Sequence, residues 1–156
     1  MPVIVIGADT PLGMATMNAL LPRSGEVRAF VTSPQAAEDL RRRGVKVALG
    51  DVSDGSHVGA AALNAYCAVL MADAAADDRP RAFADSPQAV IASWVEGLND
   101  AKVARVIYVG DRPGPTGRAG LNIDVAYVNT SDRSPAAIAA EIAALEDAAE
   151  LPRSAG

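Results

Sequence analysis

Residues 3–13 read V-I-V-I-G-A-D-T-P-L-G, and no other stretch so narrows the folds open to this chain. Four strand-forming apolar residues run into a loop bounded by Gly7 and Gly13, and Pro11 is placed to open a helix. A strand buried on both faces and followed at once by a helix is how the first βα turn of a doubly wound sheet is built. Such a turn offers an anion the backbone N–H groups and positive dipole end of the helix.

The alternation continues to the end of the chain. β-branched apolar runs recur at Val3–Ile6, Val27–Thr32, Val45–Leu49, Cys67–Met71, Val103–Val109 and Ile123–Val128. Their near-continuous hydrophobicity is what strands covered on both faces require. Between them Thr10-Pro11, Ser33-Pro34, Ser86-Pro87 and Ser134-Pro135 each set a hydroxyl at N-cap and proline at N1. The helix from Pro87 carries Val90, Ile91, Trp94, Val95 and Leu98 on one stripe, and the helix from Pro135 carries Ile138, Ile142 and Leu145. Trp94, an aromatic among aliphatics at helical spacing, reads as core. Strands joined by helices imply parallel pairing through right-handed crossovers. The predicted fold is α/β: a doubly wound parallel sheet of about six strands, in a single domain over 1–150, with 151–156 as a tail.

At 156 residues, half of them apolar, the chain can bury one core but not a second substrate domain. A net charge of −5 argues against nucleic acid or an anionic membrane as partner, since both need clustered Lys and Arg. The one basic run, Arg41-Arg42-Arg43, reads as a solvated helix C-terminus. Cys67 stands alone, so no internal disulfide can form, and its apolar neighbours suggest a buried thiol. The chain opens straight into a strand without a leader pattern and holds no run of eighteen apolar residues, so a cytoplasmic location is expected. Arginine outnumbers lysine twelve to two, a bias expected of a GC-rich bacterial genome. His57, the sole histidine, is placed near the start of the third helix, facing solvent. With no histidine or cysteine partner for it, neither a zinc site nor a Ser-His-Asp triad has support.

Longer strings carry a resemblance. Gly7-Ala8-Asp9-Thr10-Pro11-Leu12-Gly13 resembles G-A-[ST]-G-x-[IL]-G, and Val27-Arg28-Ala29-Phe30-Val31-Thr32-Ser33-Pro34 resembles V-R-A-L-V-R-x-P. Gly44-Val45-Lys46-Val47-Ala48-Leu49-Gly50-Asp51-Val52-Ser53-Asp54 resembles G-V-x-V-x-x-G-D-[LV]-x-D, the most specific of these strings. Residues 104–111 and 120–131 are similar to later strands of the same family, without its serines or its Arg-Pro-Gly. The family is the atypical short-chain dehydrogenase/reductases, in particular the NmrA-like NAD(P)H-binding proteins. The resemblance implies a bound NADP or NAD. It places the cofactor-binding residues at Gly7, Asp9, Thr10, Pro11, Leu12 and Gly13 in the first loop, Thr32 and Ser33 after the second strand, Asp51 and Val52 after the third, and Ala72 and Gly110 after the fourth and fifth.

Two departures bear on activity. Thr10 stands where the middle glycine is expected, and Asp9 sets a carboxylate beside the anion; self-capping by Thr10 and Asp9 is expected to take up free N–H groups of the helix start. Asp73, Asp111 and Asp132 follow strands four to six, so the crevice rim reads as acidic. Thr32-Ser33 offers neither the acid that selects NAD nor the arginine that accepts a 2′-phosphate. The superfamily's hydride-transfer enzymes use a tyrosine with a lysine four residues on along a helix. Here Tyr66, Tyr108 and Tyr127 are followed at that spacing by Leu70, Arg112 and Ser131. The Pro/Gly-rich loop from Asp111 to Gly120 stands where that helix belongs, so no catalytic residue is assigned. Expected first is a non-catalytic sensor or regulatory module that binds a dinucleotide and a protein partner. A small NAD(P)H-dependent reductase is the alternative, and a cofactor-free interaction subunit the third. The apolar edge near Ile123–Val128 predicts a homo-oligomer.

Overall fold

A computed structural model describes residues 1–23, 25–112, 114 and 123–152. The strands are β1 (Val3–Ile6), β2 (Val27–Val31), β3 (Lys46–Leu49), β4 (Cys67–Met71), β5 (Arg105–Gly110) and β6 (Asp124–Asn129). They form one sheet in the order β3-β2-β1-β4-β5-β6, every pair parallel. That is the doubly wound order, with its switch point between β1 and β4. The helices are α1 (Pro11–Leu20), α2 (Pro34–Arg42), α3 (Gly55–Ala61), α4 (Asp73–Ala76), α5 (Pro87–Asp100) and α6 (Pro135–Asp147). The short α4 carries no cap bond from its N-cap residue Ala72, which is why nothing in the sequence announced it. The expected β5 start at Val103 falls instead at Arg105, because α5 runs to Asp100 and its closing turn uses the Val103 N–H, bonded to Leu98 O at 3.2 Å.

All four hydroxyl–proline starts form as read. Thr10, Ser33, Ser86 and Ser134 accept from the amides of Gly13, Ala36, Ala89 and Ala137, each offsetting one orphan donor of a helix start. Asp54 does the same for α3 through the His57 amide.

Alternate side chains of each central strand enter two cores. Val3, Val5, Val69 and Ile107 meet Met17 and Leu20 of α1, Leu40 of α2 and Ile138 and Ile142 of α6. Ile4, Ile6, Leu70 and Val106 meet Val58 of α3 and Val90, Trp94 and Leu98 of α5. Each fully buried aliphatic side chain stabilises by about 1.5–3 kcal/mol relative to exposure, so both layers are locked to the sheet. Trp94 is fully buried, and its indole N–H donates to Val52 O at 2.7 Å. Cys67 is buried, and desolvation pushes its thiol up to about 12. His57 corrects the solvent-facing expectation: it is half-buried, with its ring edge-on to Phe30 at 5.0 Å. Most of the loop from Asp111 to Gly120 lies outside the described residues. Among the described residues, no helix is long and apolar enough to cross a membrane.

Candidate functional site

The carboxyl ends of β1, β2 and β4 meet at the switch point, and the residues singled out in the first loop gather there. Gly7 has φ +84, and a Cβ on it would lie 2.6 Å from Ala74 Cβ. A Cβ on Gly13 would lie 2.3 Å from Gly7 O. Both positions exclude side chains, one by conformation and contact, the other by the close approach of α1 to the loop. Thr10 is buried; its hydroxyl donates to Gly7 O at 3.0 Å and accepts from the Gly13 amide at 2.9 Å. Pro11 has no N–H, so the Leu12 amide is the first-turn donor left facing the loop.

Asp9 departs from expectation. Its carboxylate does not serve the start of α1 but reaches across to the end of β2, where Oδ2 accepts from the Thr32 amide at 2.9 Å and the Ser33 amide at 3.0 Å. The reason is geometric: β1 and β2 pair in register with Ile6 opposite Phe30, so the loop after β1 lies beside the last turn of β2. Oδ1 accepts from Arg79 Nη1 at 2.8 Å, and both side chains are nearly buried, 6% and 10% exposed.

Arg79 was not singled out in the sequence. It belongs to the segment following α4, where Asp77 grips it at both Nε and Nη2 and where Arg81 also reaches Asp77. Burial works to raise the Asp77 carboxyl, but the hydrogen bonds and charge of Arg79, with a further bond from Arg81, outweigh it and hold Asp77 below its ordinary value. The only sequence signal was the pair of acids followed by two arginines in Asp77-Asp78-Arg79-Pro80-Arg81, a pattern equally natural in a solvated loop.

The same segment closes over β3. Asp51 Oδ2 accepts from the Ala82 amide at 2.8 Å, its Oδ1 accepts from the Ser53 amide and hydroxyl, and Ser53 Oγ accepts from the Phe83 amide at 3.0 Å. Burial tends to raise Asp51; the bonds from Ser53 and Ala82, with Arg81 nearby, reverse that and keep it low. Residues 77–83 therefore form a strap pinned to Asp9, Asp51 and Ser53. Val52, between Asp51 and Ser53, is fully buried.

On the other side of the switch point the Ala72 amide donates to Val109 O at 2.9 Å. A Cβ on Gly110 would sit 3.0 Å from Ala72 Cβ. Tyr108 is buried beside Tyr127, with ring centroids 6.1 Å apart, and the Tyr127 hydroxyl donates to Gly110 O. Burial pushes both phenols up; the charge of Asp111 adds to this for both, and that of Asp73 for Tyr108. Desolvation and the charges of Asp111 and Asp77 likewise raise Asp73. Two cavities of about 520 and 480 Å³ open at the opposite, amino-terminal end of the sheet, around Tyr66. Doubly wound folds use the carboxyl end for ligands, so neither is taken as the site. Among the described residues, no group of three or more His, Cys, Asp or Glu is placed to hold a metal.

The fold and the glycine-bounded turn define a nucleotide-binding α/β domain. Over residues 7–141 the chain matches the family model described as NAD(P)H-binding, and it belongs to that family. Among solved structures it is similar to ChuY, an anaerobillin reductase from Escherichia coli O157:H7, at 19% identity and TM-score 0.70, covering 96% of this chain and 92% of that one. It is also similar to the E. coli NADPH-dependent quinone oxidoreductase QOR2 complexed with NADPH (18%, TM-score 0.66, 92% of this chain and 54% of that one). A third likeness is to the Citrobacter sp. triphenylmethane reductase complexed with NADP(H) (20%, TM-score 0.59, 92% and 45%). This chain thus spans about half the length of the latter two. A search of curated proteins returns no match.

Proposed function

We propose that this chain holds a nicotinamide dinucleotide along the carboxyl rim of its sheet and acts as a non-catalytic sensor that reports occupancy to a protein partner. The pyrophosphate would lie over Gly7–Gly13 at the Leu12 amide. The adenosine half would point toward Thr32, Ser33, Asp51 and Val52, and the nicotinamide half toward Ala72 and Gly110. The observation that carries the binding reading is the pair Gly7 and Gly13, where a Cβ at either would collide with its neighbours and the residues fit a backbone cradle for phosphate. When bound, the dinucleotide supplies hydride chemistry; the protein's own groups hold and orient it.

The non-catalytic reading is supported by the tyrosines. A proton donor to a substrate oxygen works best with its pKa brought toward the working pH, whereas Tyr108 and Tyr127 are both pushed up. A second reading has its own support: the likeness to ChuY, an anaerobillin reductase, extends over nearly the whole length of that protein. In that reading the chain reduces an acceptor that needs no tyrosine acid. Calorimetry with NADH and NADPH, followed by absorbance of the reduced nicotinamide with a quinone or flavin acceptor, separates the two. Binding without consumption is expected. Consumption would replace the sensor with a small reductase, and absence of binding would leave a cofactor-free interaction subunit.

A further inference from the structure

Resting on the dinucleotide reading, we infer that the Asp9 carboxylate is a built-in occupant of the place a 2′-phosphate would take, so the chain selects NAD(H) over NADP(H). The end of β2 is where a doubly wound fold meets the adenosine ribose, and what stands there decides between a 2′-hydroxyl and a 2′-phosphate. Here two consecutive amides, those of Thr32 and Ser33, point at one spot, and the Arg79 guanidinium reaches the same spot from the strap, 3.3 Å from Thr32 Oγ1. Two amides and an arginine are the donor set an oxyanion wants. Asp9 already fills it, nearly buried, with bonds of 2.8–3.0 Å to all three donors.

A 2′-phosphate could take those donors only by expelling Asp9, which would leave a carboxylate without partners against a dianion. Uncompensated burial of charge is among the costliest changes a site can undergo. Arg79 brings no spare charge to the encounter, since Asp77 holds its other face. A ribose 2′-hydroxyl faces the opposite situation. An ionised carboxylate has about four lone-pair positions, and protein donors use three of them, so one remains to accept from the hydroxyl. Asp9 thereby supplies, from the first loop, the acceptor that Thr32-Ser33 lacks. It acts as a specificity-determining residue for the adenosine half.

Titration calorimetry of the full chain with NADH and with NADPH tests this, alongside 5′-AMP and adenosine 2′,5′-bisphosphate as fragments that report on the adenosine end alone. The wild-type protein is expected to bind NADH at least about tenfold more tightly than NADPH, with the fragments in the same order. In Asp9→Ser, with folding checked by circular dichroism, the preference is expected to shrink or reverse. Equal or tighter NADPH binding by the wild type overturns the inference without recourse to any variant, as does an unchanged ratio in the folded variant. If neither dinucleotide binds wild type or variant, the dinucleotide reading itself falls and this inference falls with it.

Discussion

Helices α3 and α5 touch through glycine, and Gly97→Ala sets two effects of opposite sign against each other. Within α5, alanine is the better helix former by about 1 kcal/mol, so local propensity alone predicts a more stable protein. The contact predicts otherwise. A Cβ on Gly97 would lie 2.4 Å from Gly55 O, 3.1 Å from Gly59 N and 3.2 Å from Gly59 Cα, all backbone atoms that cannot rotate away. Ordinary C···O contacts across helix interfaces lie at about 3.3–3.6 Å, so the helices must separate by roughly 1 Å. That movement loosens the layer built on Val58, Val90, Trp94 and Leu98, and overpacking of this kind costs about 1–3 kcal/mol. With the upper part of that range set against the propensity gain, Gly97→Ala is expected to destabilise by about 1–2 kcal/mol, or roughly 2–8 °C in Tm for a domain of this size. Urea denaturation followed by the fluorescence of Trp94, the chain's only tryptophan, measures it directly. A variant more stable than wild type by about 1 kcal/mol would refute the argument, because propensity would then have outweighed the backbone contact.

Two further outcomes are expected at other points of the fold. Arg105 is buried at the amino end of β5 and donates to the carbonyls of Leu145, Ala148 and Ala149 around the end of α6; Arg105→Met strands those carbonyls and is expected to cost about 2–4 kcal/mol by urea denaturation, while dinucleotide affinity at the far end of the sheet stays unchanged in calorimetry. Acid is expected to loosen the strap: the Asp51 carboxyl is held low in the folded protein, so its stabilising contribution is present above its unfolded value near about 4 and is lost as pH falls through the lower folded value. The Ala82 amide proton, bonded to Asp51, should report this in NMR as an upfield shift with a midpoint below the unfolded value, and a midpoint above it would contradict the sign.

The sequence by itself determined the architecture, because each of its signals is local. Four hydroxyl–proline pairs fix helix starts whatever surrounds them, and the near-continuous apolar strands can be satisfied only by a sheet covered on both faces. Gly7 and Gly13 were legible for the same reason, since a chain that turns directly from strand to helix needs them. What only the tertiary structure decided is where polar side chains on different segments meet. Asp9 read as a helix-start acid, and it became a partner of β2 because strand pairing brings the end of β2 beside the first loop. Arg79 was unreadable because its burial depends on Asp9, seventy residues earlier, and on Asp77 beside it. The Gly55, Gly59 and Gly97 contact was hidden too: a glycine inside a helix shows its purpose only when another backbone is seen pressed against it.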